Sequence, residues 1–102
     1  MNNCCTRGSK NFEKIGKSLD ILKAVSEPNR LRILCNLSKI DICVCDLAGN
    51  MEVSHNLISF HLKTLFKAGI LDKRKDGNKI FYFIKKEWKE RIKHFFSFID
   101  IT

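Results

Sequence analysis

At Gly69 the apolar rhythm of this 102-residue chain changes from helical to alternating, and few small folds accommodate that change. Before it, Leu57-Ile58, His61-Leu62 and Leu65 recur at the spacing of one helix face, with Ser54 placed as N-cap and Ala68-Gly69 as the stop. After it, Ile70–Lys75 and Lys79–Ile84 flank Asp76-Gly77-Asn78, and Ile80, Tyr82 and Ile84 alternate with Phe81 and Phe83, the pattern of a β-hairpin. Upstream, Phe12, Ile15, Leu19, Leu22 and Val25 mark a first helix. Pro28 suits the first position of a second helix, whose apolar residues are Leu31, Ile33, Leu34 and Leu37. The segment Asp41 to Ala48 reads as the approach to a third helix and its first turns, stopped by Gly49-Asn50. The Asn50–Val53 turn then joins this helix to the Ser54 helix as a helix-turn-helix. Trp88, Ile92, Phe95, Phe96 and Ile99 stripe a last helix. The fold class expected is mainly α with a β-hairpin wing, a winged helix-turn-helix.

Residues 1–10 are polar and aperiodic and read as a flexible arm that bears cysteines. Residues 11–102 are then expected to form one winged helix-turn-helix domain, an architecture suited to DNA binding and dimerisation. The first and last helices carry more apolar surface than a monomer of this size covers, so a homodimer through those two helices is expected.

Charge narrows the partner. The chain holds 19 Lys+Arg against 11 Asp+Glu, a net +8. Between residues 60 and 91 there are ten basic and four acidic side chains, so most of the excess sits on the second half of the helix-turn-helix, the hairpin and the start of the last helix. A small domain this basic meets a polyanion, nucleic acid before an anionic membrane surface. On the outer face of the Ser54 helix, Ser54, His55, Asn56, Ser59, Lys63 and Thr64 can reach base edges or phosphates, and Lys73, Arg74, Lys75 and Lys79 of the hairpin can reach phosphates. His61 lies beside Leu57, Ile58 and Leu62, which leaves both packing and DNA contact open. His94 has no partner at chelating spacing. No run approaches the roughly 18–20 apolar residues of a membrane helix, and the first residues lack the apolar core of a signal peptide. A reducing cytoplasm is therefore expected, with no membrane partner. No glycine-rich phosphate loop, C-x-x-C pair or nucleophile–base set supports an enzyme or an organic cofactor.

Five cysteines carry the second signal. Cys43-Val44-Cys45 places two soft donors at a helix start, where the dipole favours thiolate. Residues two apart on a regular helix point about 200° apart. Both can grip one ion only if Cys43 lies on the strand leading into the helix or the first turn opens. Cys4-Cys5 on the arm can supply further ligands. Cys35, at the edge of the second helix's apolar face, reads as a semi-buried inert thiol. An all-thiolate site selects thiophilic ions over Mg²⁺ or Ca²⁺.

Three stretches together resemble the arsenical-resistance-repressor (ArsR/SmtB-type) family: Ser26-Glu27-Pro28-Asn29-Arg30-Leu31-Arg32-Ile33-Leu34, Ile42-Cys43-Val44-Cys45-Asp46-Leu47, and Ser54 through His61-Leu62-Lys63-Thr64-Leu65 to Lys67-Ala68-Gly69-Ile70-Leu71. The likeness covers about Leu19 to Ile84. It implies a dimeric winged-helix repressor that leaves its double-stranded operator DNA when a metal ion or metalloid binds. It carries ligand roles to Cys43 and Cys45 only. Ala48 stands where the simplest arsenic-sensing members have a third cysteine, so Cys4 or Cys5 becomes the candidate third thiolate. The last helix lacks the acidic and histidine pattern of the family's zinc-sensing site. The ions implied are arsenite or antimonite, and cadmium or lead. A thiol redox or persulfide switch on the same fold, and a soft-metal carrier with an incidental basic surface, are the alternative readings.

Overall fold

The structure, a computed structural model, describes residues 7–40 and 42–100. Cys4 and Cys5 lie outside the described residues. Helix α1 spans Lys10–Val25, and the Ser9 hydroxyl accepts from the Phe12 amide at 3.0 Å to cap it, so the helix starts one residue before the boundary drawn from sequence. Helix α2 spans Pro28–Leu37. Proline fits its first position because no intrahelical amide is required there, and the Glu27 carboxylate caps the helix by accepting from the Arg30 amide at 2.9 Å.

A short strand, β1 (Ile42–Cys43), leads into α3 (Val44–Met51). The expected stop at Gly49-Asn50 does not occur. Leu47 and Met51, one turn apart and both buried, hold the helix on the core for one further residue, and Glu52 ends it in the left-handed conformation at φ 56°. Helix α4 spans His55–Lys67, capped by the Ser54 hydroxyl accepting from the Leu57 amide at 3.2 Å. Its far end is a Schellman motif: the Ile70 amide donates to the Leu65 carbonyl, the Gly69 amide to the Phe66 carbonyl, and Gly69 takes φ +86°. Leu65 and Ile70, both fully buried, make the apolar contact of that motif and fix the direction in which the chain leaves α4.

Strands β2 (Leu71–Asp76) and β3 (Lys79–Ile84) pair antiparallel with Asp76 opposite Lys79. Gly77 at φ 62° opens the two-residue turn, the arrangement a type II′ turn requires. The sheet has three strands rather than two, because β1 adds to the free edge of β3, giving the order β1-β3-β2. Helix α5 (Lys86–Phe98) closes the fold, with Ile92 and Phe96 buried. The core gathers Ile33, Leu34 and Leu37 of α2, Leu47 and Met51 of α3, Ile58, Leu62 and Leu65 of α4, and Tyr82 and Ile84 of β3.

Helix α1 meets that core only near its C-terminal end, through Ala24 and Val25 with Ile21 packed against them. Every residue from Lys10 to Asp20 is exposed, and only Ala24 and Val25 are buried. Phe12, Ile15, Leu19 and Leu22 form one stripe along it, each 42–52% exposed.

Candidate nucleic-acid interface and metal centre

The side chains at the start of α4 face outward as the sequence predicts. Ser54, His55, Asn56 and Lys63 are exposed, and Ser59 is half-buried. Thr64 is half-buried and its hydroxyl donates back to the Phe60 carbonyl at 3.2 Å, which ties it to its own helix. His61 is on the other side. It is 5% exposed, its Nδ1 accepts from Arg30 Nη1 at 3.2 Å, and its Nε2 lies 3.6 Å from Glu27 Oε2. The packed reading of His61 therefore replaces the base-contact one, because the ring turns inward to meet a guanidinium and a carboxylate.

That inward cluster positions α4. Arg30 Nε also donates to the Ala24 carbonyl, so one guanidinium joins the end of α1 to α4 while its own backbone amide sits in the cap of α2. Arg32 performs the parallel task on the other flank, donating from Nη2 to the Met51 carbonyl at the end of α3 at 2.8 Å and from Nη1 to Asn29 Oδ1. Sequence reasoning quoted both arginines but gave them no role. The signal was Glu27, three residues before Arg30 and ahead of Pro28, where a cap is needed.

The hairpin presents a basic edge built on aromatic rings. Lys73 Nζ stands 4.9 Å from the centre of the Phe66 ring, and Phe66 in turn meets Tyr82 edge-on. The Arg74 guanidinium lies 5.0 Å from the centre of Phe81, its partner in the strand register. Lys75 and Lys79 are exposed nearer the turn. Rings beneath cations orient the long side chains while leaving their charges at the surface. Burial of Tyr82 raises its phenol above the usual value of 10.0.

Cys43 and Cys45 flank the start of α3. Cys43 is the last residue of β1 and the N-cap of the helix, at φ −78° and ψ 160°, so the lead-in-strand option is the one adopted. It is 2% exposed, and its thiol donates to Asp46 Oδ2 at 3.0 Å. Cys45, two residues later in the first turn of α3, is exposed. Among the described residues no three His, Cys, Asp or Glu side chains come together as a metal cluster, so the donor set fits a soft ion in part: two thiols that face different ways. Cys35 is half-buried against the core, as expected.

Residues 27–73, which run from the cap of α2 into the hairpin, match the sequence model for "bacterial regulatory protein, arsR family". The arsenical resistance operon repressor of Staphylococcus xylosus is 36% identical over 82 residues, 80% of this chain and 79% of that protein. The chain belongs to the arsR family. This ArsR-family chain is also 44% identical over 64 residues to the cadmium resistance transcriptional regulatory protein of Listeria innocua, a stretch covering 62% of the chain and about half, 54%, of that relative's length. Among solved structures, HlyU of Vibrio cholerae superposes with a TM-score of 0.76 at 30% identity, covering 83% of this chain and 94% of HlyU. These relatives are regulators by name, and the fold they share with this chain is the winged helix-turn-helix. No helix among the described residues is long and apolar enough to cross a membrane.

Proposed function

We propose that this ArsR-family chain is a transcriptional repressor that binds operator DNA as a homodimer in a reducing cytoplasm. It releases the DNA when a thiophilic ion, arsenite or antimonite, or cadmium or lead, is held by cysteine thiolates. The observation that carries this reading is the position of Cys43. The thiol sits where β1 turns into the first helix of the helix-turn-helix, and β1 is in register with the strand that supports the basic hairpin. Cys43 pairs with Phe81 and Ile42 with Tyr82, while Phe81 and Tyr82 pair on their other side with Arg74 and Lys73. A displacement at Cys43 is thus one strand away from both cations.

Two further features support the reading. The relatives named for arsenical and cadmium resistance concern elements that thiolates favour. Helix α1 leaves a four-residue apolar stripe uncovered along most of its length, and a helix so little buried gains its stability from a second copy.

A soft ion, when bound, supplies a common centre to which thiolates are drawn. Were Cys43 and Cys45 to hold such an ion together, Cys43 would release its thiol proton to solvent, give up its bond to Asp46 and turn toward Cys45 at the junction of β1 and α3. Cys4 and Cys5, carried on the segment before α1, are the candidate remaining ligands, and with α1 at a two-fold interface they would come from the partner subunit.

The test pairs Cys43→Ser and Cys45→Ser with wild type in gel-shift titrations. Both variants should keep DNA affinity but lose release by arsenite and cadmium, with a wild-type coupling of about 1–3 kcal/mol. Full release in the double variant would place the sensor elsewhere. Loss of DNA binding without any ion would make the cysteines structural. Mixing subunits that lack Cys4 and Cys5 with subunits that lack Cys43 and Cys45 should create one intact site per heterodimer if the ligands are shared between subunits. Disulfide or polysulfide masses in the protein as its response develops would favour the redox alternative.

A further inference from the structure

The row of α4 that faces outward contains one side chain that cannot hydrogen-bond. Asn56, Phe60, Lys63 and Lys67 follow at steps of four, three and four, and all are exposed. Phe60 is 58% exposed in the middle of that row, with Leu57 at its flank. An aromatic ring left in water forfeits the burial that makes phenylalanine useful. Phe66, on the same helix, differs: it packs edge-on against Tyr82 beneath Lys73.

Phe60 nevertheless has one aromatic neighbour. Its ring meets His61 edge-on, with centres 5.4 Å apart, and His61 is itself held by Arg30 and faces Glu27. That contact joins the ring to the buried polar cluster and leaves its outer face to a partner. Charge selects that partner. Lys63 and Lys67 flank the ring in the same row, and the hairpin lysines and arginine follow α4 in the chain, so the surface around this apolar spot suits a polyanion rather than an apolar protein face.

Within the DNA-binding reading proposed above, on which this rests, we infer that Phe60 is a specificity residue that reads the C5-methyl group of a thymine in the major groove. Of the four base pairs, only those with thymine present an apolar group on that edge, and contact with it is the base readout open to a phenylalanine. Ser54, His55, Asn56 and Lys63 supply the polar contacts around it. Phe60 fixes one thymine in each half-site, at a position where cytosine has the wrong edge and uracil lacks only the methyl group.

The probe is a duplex enriched by wild-type protein from a pool with a randomised core, with thymines then replaced one at a time by uracil. Wild type should lose about fourfold in affinity at one thymine of each half-site, the worth of one buried methyl-sized group. Phe60→Ala should bind thymine and uracil duplexes equally and lose the base preference at that position when its own pool is sequenced. Phe60→Leu, which keeps an apolar tip, should retain part of the discrimination. Melting curves of both variants check that an exposed ring was removed without unfolding the chain.

Equal responses of wild type and Phe60→Ala to every thymine-to-uracil exchange would overturn the inference. So would a change in association state by sedimentation with base preference intact, which would assign the ring to a protein contact. If wild type binds duplexes but enriches no sequence, this inference fails alone. If it binds no duplex at low salt, the DNA-binding reading fails and takes this one with it.

Discussion

Arg30 offers the sharpest test of how α4 is held, and Arg30→Met is the perturbation. Methionine keeps an apolar stem of similar reach and removes the guanidinium. Two groups then lose their donor: the Ala24 carbonyl near the end of α1 and Nδ1 of the buried His61. An orphaned buried acceptor costs about 1–3 kcal/mol. Arg30 is itself half-buried, so water reaches part of the site and the expected total falls to about 2–3 kcal/mol. For a chain near 100 residues that is a drop of roughly 10–20 °C in melting temperature.

Urea unfolding followed by helical circular dichroism, at one fixed protein concentration, reads the change. His61→Leu alone should also destabilise, because it removes a group that the guanidinium needs. The double variant Arg30→Met/His61→Leu should cost about 1–2 kcal/mol less than the two single changes added together, since neither partner is then left buried and unpaired. The cluster is not what orients α4 if Arg30→Met falls within about 0.5 kcal/mol of wild type or if the two changes simply add.

Gly69→Ala should cost about 1–2 kcal/mol in thermal melts, and all of it should be backbone strain at φ +86°, because an added Cβ meets nothing within 4 Å. Replacing Lys73, Arg74 and Lys75 together with glutamine should weaken binding to all duplexes alike and lower the slope of log affinity against log salt by about 2–3. An unchanged slope would remove the hairpin from the interface. Tyr82 keeps its proton in the folded chain above pH 10.0, where the unfolded chain begins to release it. The native state is then the one that binds more protons, so this contribution to stability is complete below about pH 10 and declines as pH rises further. Urea midpoints of wild type and Tyr82→Phe compared at pH 9 and 11 should show the steeper fall for wild type.

The helices and the hairpin were legible because their signals are local. Ser54, Pro28, Gly69 and Gly77 each act through the conformation of their own few residues, and each does in the structure what its chemistry implies. Helical spacing likewise found the exposed Ser54, His55, Asn56 and Lys63 of α4, while Ser59 and Thr64 are half-buried and the exposed Phe60 went unplaced. Three things were not legible. Strand β1 is only Ile42–Cys43, too short for any alternation to register, and it forms because β3 offers an unpaired edge. The end of α3 was misplaced because Gly49-Asn50 carries a stop signal locally, while the burial of Met51 depends on a core assembled from distant segments. His61 was undecided because helical spacing places it at the margin of the apolar face, and the Arg30 and Glu27 that turn it inward lie about 30 residues earlier. The candidate metal donors Cys43 and Cys45 were readable only as a cysteine pattern, whereas the bond from the Cys43 thiol to Asp46 required coordinates.

The shortness of β1 sets a clock as well as a position. A two-residue edge strand is among the cheapest elements of a fold to detach, and amide hydrogens there exchange through local opening rather than global unfolding. Cys43, at 2% exposure, is shielded while that edge is closed, so its reaction is expected to wait on opening. Any thiol-seeking solute, whether ion or alkylating reagent, then reacts at a rate that rises with its concentration and levels off at the opening rate. The plateau should be the same for every reagent, and Cys45, exposed a few residues away, should show none. Stopped-flow modification of the two thiols would therefore time the motion of β1 directly, in milliseconds or seconds, without reference to DNA.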